Sequence, residues 1–184
     1  MSKVRLYLVR HGKTMFNTIG RAQGWSDTPL TAEGELGIHE LGIGLRESGL
    51  RFDRAYSSDS GRTIQTMGII LEELGMQGKI PYRMDKRIRE WCFGSFDGAY
   101  DGDLFMGLIP RIFNVDHVHQ LSYAELAEGL VEVDTAGWAE GWEKLSGRIK
   151  EGFEAIAKEM EEQGGGNALV VSHGMTIGTI VYLI

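Results

Sequence analysis

Two triplets in this chain carry the residue types for anion chemistry, and each follows directly on an apolar run. Arg10, His11 and Gly12 come after residues 6–9, and Ser172, His173 and Gly174 after residues 168–171. Short apolar runs with β-branched and aromatic members read as buried parallel strands. Ligands of open α/β sheets gather beyond the carboxyl ends of such strands, where loops carry the chemistry. A guanidinium, an imidazole and a glycine that lets backbone N–H groups come close suit a phosphate or another oxyanion there. Taken singly, Arg-His-Gly reads equally as a basic strand end facing solvent, because short motifs recur by chance. Two strands ending in His-Gly are the sharper signal. If both lie near the sheet centre, His11 and His173 converge on one carboxyl edge.

The intervening sequence supplies the elements that must hold them. A polar loop over 13–30, with Asn17, Arg21, Gln23, Gly24 and Trp25, is long enough to be functional. Thr31 reads as an N-cap with Glu33 in the first turn, and Ile38, Leu41 and Leu45 as one buried helical stripe. Gly34, Gly37, Gly42 and Gly44 each weaken that helix by up to about 1 kcal/mol relative to Ala, so packing must hold it. A second strand is expected over 54–57, then a helix capped by Ser58 or Asp59, striped by Ile64, Met67, Leu71 and Leu74 and ended by Gly75. Arg62 falls in its first turn, where the helix dipole favours an anion. A third strand is expected over 80–84. The stretch 89–136 is irregular, with one helix near 123–131, and reads as an insertion or lid over a site. A long helix follows, with Trp138, Trp142, Leu145, Ile149, Phe153, Ile156 and Met160 on one face. Gly164, Gly165 and Gly166 break it before the last strand, and a helix opens at about Met175. No internal repeat appears. This alternation predicts one α/β domain over 1–184, three-layer α/β/α, with a mostly parallel central sheet and helices on both faces.

Composition sets the bounds. At 184 residues and 42% hydrophobic content the chain can bury one sizeable core. A net charge of −7 with no Lys or Arg block argues against nucleic-acid and anionic-membrane surfaces. No apolar run reaches membrane-spanning length, and the first strand begins too early to leave room for a signal peptide. The single Cys92 excludes an intrachain disulfide, which fits a reducing cytoplasm. Oligomeric state is not readable from these features.

Several motifs then fall in a familiar order. They are Arg10-His11-Gly12-Lys13-Thr14 with Asn17, and Gln23-Gly24-Trp25-Ser26-Asp27 leading to Leu30-Thr31. Next come Ser57-Ser58-Asp59-Ser60-Gly61-Arg62-Thr63-Ile64-Gln65-Thr66, Arg89-Glu90-Trp91-Cys92-Phe93-Gly94-Ser95-Phe96-Asp97-Gly98 and Val171-Ser172-His173-Gly174. Together they resemble the histidine phosphatase superfamily, which holds the cofactor-dependent phosphoglycerate mutases and their phosphatase relatives. The resemblance runs from the first strand to the last helix.

The resemblance implies a phosphoglycerate mutase-like fold and a metabolite-sized phosphorylated substrate, with no metal and no cofactor. It implies that His11 attacks phosphorus in line and becomes a transient phosphohistidine. Imidazole can do so only when neutral, and an unperturbed pKa of about 6.5 keeps it available. Arg10 and Arg62 would clamp the phosphoryl oxygens, with His173 a further donor. Asn17, Thr14, Gln23, Gly24 and Gly174 would complete the anion and substrate contacts. Glu90 would protonate the leaving oxygen and then deprotonate the attacking water. Burial beside Trp91 and Phe93 would raise its pKa and the arginines would lower it.

Other chemistry reads less well. Cys92 lacks the Gly-rich loop closing on an arginine that a cysteine phosphatase needs. Asp97, Asp101 and Asp103 lack the remaining ligands of a calcium loop. Asp116, His117 and His119 read as solvated rather than metal-binding. Within the family, mutases carry Glu-Arg-His-Tyr-Gly at the acid, whereas this chain has Glu90-Trp91-Cys92-Phe93-Gly94, which resembles the phosphatase branch. The expectation is therefore a metal-independent phosphomonoesterase. The alternatives are a mutase needing a bisphosphorylated primer and a non-catalytic phosphoester-binding module. The family usually continues past the last helix into another strand and a tail, so a C-terminal truncation after Ile184 is also expected.

Overall fold

The computed structural model describes residues 3–184. Four strands, β1 (Val4–Arg10), β2 (Arg54–Ser57), β3 (Tyr82–Met84) and β4 (Gly166–Ser172), form one parallel sheet in the order β1-β4-β2-β3. The helices are α1 (Met15–Thr18), α2 (Ala32–Glu47), α3 (Gly61–Glu73), α4 (Ile109–Phe113), α5 (Tyr123–Val133), α6 (Trp142–Glu162) and α7 (Gly174–Leu183).

Side-chain alternation along the strands builds the three layers. Leu169 and Val171 of β4 face a core with Ile38 of α2 and with Met67, Ile70 and Leu71 of α3. Ala168 and Val170 face the opposite core, with Leu145, Ile149, Phe153 and Ile156 of α6 and Ile180 of α7. Residues 168–171 are fully buried, as a strand covered on both faces should be, and each large apolar side chain there stabilises the fold by about 1.5–3 kcal/mol. The chain runs from β1 through α2 to β2 and through α3 to β3. It then crosses by α6 on the other face and places β4 between β1 and β2. That reversal opens a crevice at the carboxyl ends of β1, β4 and β2, where ligands bind in such sheets.

The glycines of α2 divide by position. A Cβ on Gly34 would overlap the Lys13 carbonyl, and one on Gly42 would sit 2.7 Å from Glu73 Cβ. These two let α2 close on the loop after β1 and on α3, whereas Cβ atoms on Gly37 and Gly44 would meet nothing. Thr31 caps α2 as its type predicts, accepting from Gly34 N.

Several expectations are corrected. Among the described residues β1 is an edge strand, whereas β4 and β2 lie inside the sheet. The α3 helix is entered through Ser60 rather than Ser58 or Asp59, and Ile70 takes the buried place expected of Ile64. Trp138 is 68% exposed and precedes α6, because Gly137 takes a positive φ of 68° and Gly141 is the N-cap. The stretch 89–136 is more helical than its sequence suggests. A π-helical segment, Asp103–Leu108, runs into α4, which carries Pro110 near its start. The expected helix is present as α5 and buries Leu126, Ala127 and Leu130. No helix among the described residues is long and apolar enough to cross a membrane.

Candidate active site

Strand register brings the two histidines together. Arg10 pairs with Ser172 across β1 and β4, and His11 N donates to the Ser172 carbonyl at 3.1 Å. The next residues, His11 and His173, therefore leave the sheet side by side, with ring centroids 5.4 Å apart.

Hydrogen bonds fix both tautomers. His11 Nδ1 lies 2.8 Å from the Gly12 carbonyl, which can only accept, so the proton is on Nδ1 and Nε2 carries the free lone pair. Burial, reinforced by the positive charge of Arg62 and Arg10, pushes His11 down to about 4, so it is neutral at physiological pH. His173 Nδ1 takes a bond from Arg62 Nη2 at 2.9 Å, which makes Nδ1 the acceptor and Nε2–H the donor to Ser58 Oγ at 2.6 Å. Burial first, then Arg62, hold His173 well below the usual imidazole range. Both its nitrogens are engaged, so in this arrangement it orients Arg62 and flanks His11 instead of offering a donor of its own.

Arg62 is completely buried and holds the site together. Its guanidinium donates to the carbonyls of Ser26, Gln23 and Gly24 and to Asp27 Oδ1 at 2.8 Å. Nε is the one guanidinium nitrogen with no partner among the described residues. A buried charged donor without a partner is costly unless a ligand completes it. Arg10 differs: it is exposed, its side chain makes no hydrogen bond or ion pair to any described residue, and its Nε stands 3.4 Å from where a Cβ on Gly174 would be. One arginine is built into the protein and the other is open to solvent.

Glu90 is buried against the first turn of α7. Its Oε1 accepts from Trp91 N, Thr176 N and Thr176 Oγ1, and its Oε2 from Met175 N at 3.1 Å. These donors and Arg62 favour the carboxylate, but burial outweighs them and raises the pKa above the usual carboxylate range. The competition between burial and the arginines thus goes to burial.

The loop residues are engaged among themselves. Thr14 and Asn17 form the capping box of α1, with Asn17 Oδ1 on Thr14 N. Gln23 Oε1 accepts from Thr14 Oγ1, and Gln23 Nε2 donates to Thr28 Oγ1. Gly24 donates to Asp97 Oδ1 at 2.7 Å and has no room for a Cβ, which would overlap the Trp91 carbonyl. Their contribution visible here is to shape the carbonyls that hold Arg62. Gly12 N–H, which could have faced an anion, is taken by Thr66 Oγ1 at 3.0 Å.

Several supporting residues have no motif to announce them. Arg148 of α6 is locked by Glu140, whose side chain is 2% exposed, and donates to the carbonyls of Arg87, Arg89 and Glu90. Trp25 Nε1 also donates to the Glu90 carbonyl, and Arg89 covers the Trp25 ring while bonding Asp59 through both arms of its guanidinium. Burial pushes the Cys92 thiol up to about 11, so it is an unreactive thiol. No three His, Cys, Asp or Glu side chains among the described residues are grouped to hold a metal ion.

Comparisons with known proteins identify the family. The model of the histidine phosphatase superfamily (branch 1) matches residues 6–184. A curated relative from Salmonella choleraesuis (strain SC-B67), named "Probable phosphoglycerate mutase GpmB", is 32% identical over 180 residues, covering 97% of this chain and 73% of that protein. The crystal structure of a phosphoglycerate mutase from Bacillus anthracis str. Sterne superposes with a TM-score of 0.92 at 38% identity, covering 99% of this chain and 80% of that one. A structure from Escherichia coli K-12, named as a candidate α-ribazole-5′-P phosphatase, gives a TM-score of 0.69 at 26% identity, covering 99% of this chain and 80% of that one.

Proposed function

The chain belongs to the histidine phosphatase superfamily, and from that membership we propose that it hydrolyses small phosphate monoesters through a phosphohistidine on His11. One observation carries the reading. A neutral imidazole with its lone pair on Nε2 sits beside one open arginine and one buried arginine with an unpaired Nε.

In the first step His11 Nε2 attacks phosphorus, the P–N bond forms and the ester P–O bond breaks. The leaving oxygen takes the proton of Glu90. Arg10 and the Arg62 Nε–H meet the charge on the equatorial oxygens, where preorganised donors lower the barrier most. In the second step the Glu90 carboxylate takes a proton from water, the new oxygen bonds phosphorus, the P–N bond breaks and phosphate leaves. Burial suits Glu90 to both roles by bringing its pKa towards the working pH. No step calls for a metal or a cofactor.

The test is hydrolysis of p-nitrophenyl phosphate in excess chelator, wild type beside His11→Ala. Chelator-resistant turnover that vanishes in the variant is the expected result. Turnover unchanged by the substitution overturns the reading.

A second reading is supported by the relatives named as phosphoglycerate mutases at 32% and 38% identity. It predicts interconversion of phosphoglycerates given a bisphosphorylated primer, with little hydrolysis. The sequence Trp91-Cys92-Phe93 after Glu90 favours the hydrolase.

A further inference from the structure

A second space lies beside the first turn of α7. A cavity of about 560 Å³ lies between the π-helical segment, the turn Val118–Gln120, the start of α5 and the first turn of α7. Phe105, Met106, Val118, Leu121, Tyr123 and Met175 form most of its wall, and its size lies within the range of small-molecule sites. Met175 stands between it and the reaction centre, for it lines the cavity while its N–H holds Glu90 Oε2. Phe105 packs edge-on against Phe93, in the loop that follows the acid, at 5.5 Å. Among the lining residues there is no Lys, Arg, Asp or Glu, and His119 is the only titratable side chain apart from Tyr123.

We propose that this cavity receives the leaving group of the phosphomonoester, and that the group is apolar: an alkyl or aryl alcohol without a carboxylate or second phosphate. The inference rests on the phosphomonoesterase reading. An anionic leaving group would be desolvated here with no cation in the wall to meet it, whereas apolar surface gains by leaving water. A hydrocarbon wall discriminates between alkyl groups by tens of fold and cannot reward a hydroxyl. The phosphoryl cradle thus fixes the reaction and this wall selects the alcohol.

The experiment measures kcat/KM for ethyl, hexyl and phenylethyl phosphate, whose alcohols have nearly equal acidity, with glycerol phosphate and 3-phosphoglycerate alongside. Holding leaving-group acidity constant isolates the contact with the wall. The expected result is a rise of at least about tenfold from ethyl to hexyl and phenylethyl phosphate, with both polar esters at or below ethyl. Met106 is 82% exposed, so Met106→Lys puts a charge on the wall without endangering the fold. It is expected to lower the hexyl and phenylethyl rates about fivefold relative to that of ethyl phosphate. Equal rates for all esters, a preference for the polar ones, or a preference that survives Met106→Lys overturns the assignment. With His11-dependent hydrolysis still present, each of those results leaves the phosphatase reading standing. Failure of the folded protein to hydrolyse any ester takes down both.

Discussion

The phosphoryl cradle and the outer part of the insertion, residues 103–133, are held by different forces. In the cradle, polar side chains tie together parts of the chain far apart in sequence: Arg62 to His173, 111 residues away, and Glu90 to Thr176, 86 away. His11, Arg62, Glu90 and His173 are all buried. In residues 103–133, polar bonds are mostly local, as in the Ser122–Glu125 capping box and the His117–Gln120 turn. Their attachment to the body is apolar, through Trp91 against Tyr123, Phe93 against Phe105, and α5 on α6. Cross-linked polar networks define one geometry, while apolar contacts tolerate repacking. Substitutions in the cradle should therefore act on the phosphoryl step, graded only by leaving-group acidity, and those in the outer segment should change one alcohol relative to another of equal acidity.

The largest break is expected from Glu90→Gln. Loss of the general acid should lower kcat for alkyl phosphates by about 10²–10⁴-fold. The loss should be much smaller for p-nitrophenyl phosphate, whose leaving group needs no proton, and steady-state kinetics on the two esters measures the difference.

Arg148→Ala comes next. It leaves the buried Glu140 with only the exposed Lys144, 3.9 Å away, and breaking a buried pair typically costs up to about 3–5 kcal/mol of stability, readable by urea denaturation. Because the same guanidinium holds the carbonyls around Glu90, kcat should fall while KM stays put. Arg148→Lys should recover part of each.

Arg10→Ala removes an exposed, unpaired donor. The expected loss is about 10²–10³ in kcat for every ester with no change in stability, which kinetics and thermal melting together would show.

The pH profile sharpens the assignment of roles. His11 acts only when neutral, so activity is lost as pH falls through about 4. Glu90 must begin protonated, so activity is lost as pH rises through its elevated pKa. A bell between those limits is expected for kcat/KM, and Glu90→Gln should keep the acid limb while losing the enzyme's share of the alkaline one.

The smallest effect is expected from Trp138→Ala, within about 0.5 kcal/mol, because its ring lies on the surface. Trp142→Ala should cost several times more, since that ring packs with Trp91, Tyr123 and Tyr182.

This contrast also explains what the sequence could reveal. The strands and the His-Gly ends are legible because each depends on a few neighbouring residues, and the family motifs name His11, Arg10, Arg62, Glu90 and His173. The partners of those residues are not legible. Nothing near Arg148 or Ser58 indicates that one will hold the backbone at Glu90 and the other the ring of His173, since both contacts come from tertiary packing. The same holds for Gly12, whose N–H goes to Thr66. Trp138 was misleading for a local reason: it keeps the helical phase of Trp142, but Gly137 and Gly141 stop the helix between them. The π-helical segment is hidden for the opposite reason, because its glycines and Pro110 look like helix breakers when read without their positions.

The central claim is that the phosphoryl group passes through His11. Mixing enzyme with a phosphomonoester, quenching in alkali and weighing the intact chain tests it most directly. A transient gain of one phosphoryl group, mapped to the peptide holding His11, labile to acid and absent from His11→Ala, is the predicted result. Phosphate on another residue, or full turnover by His11→Ala, would contradict it.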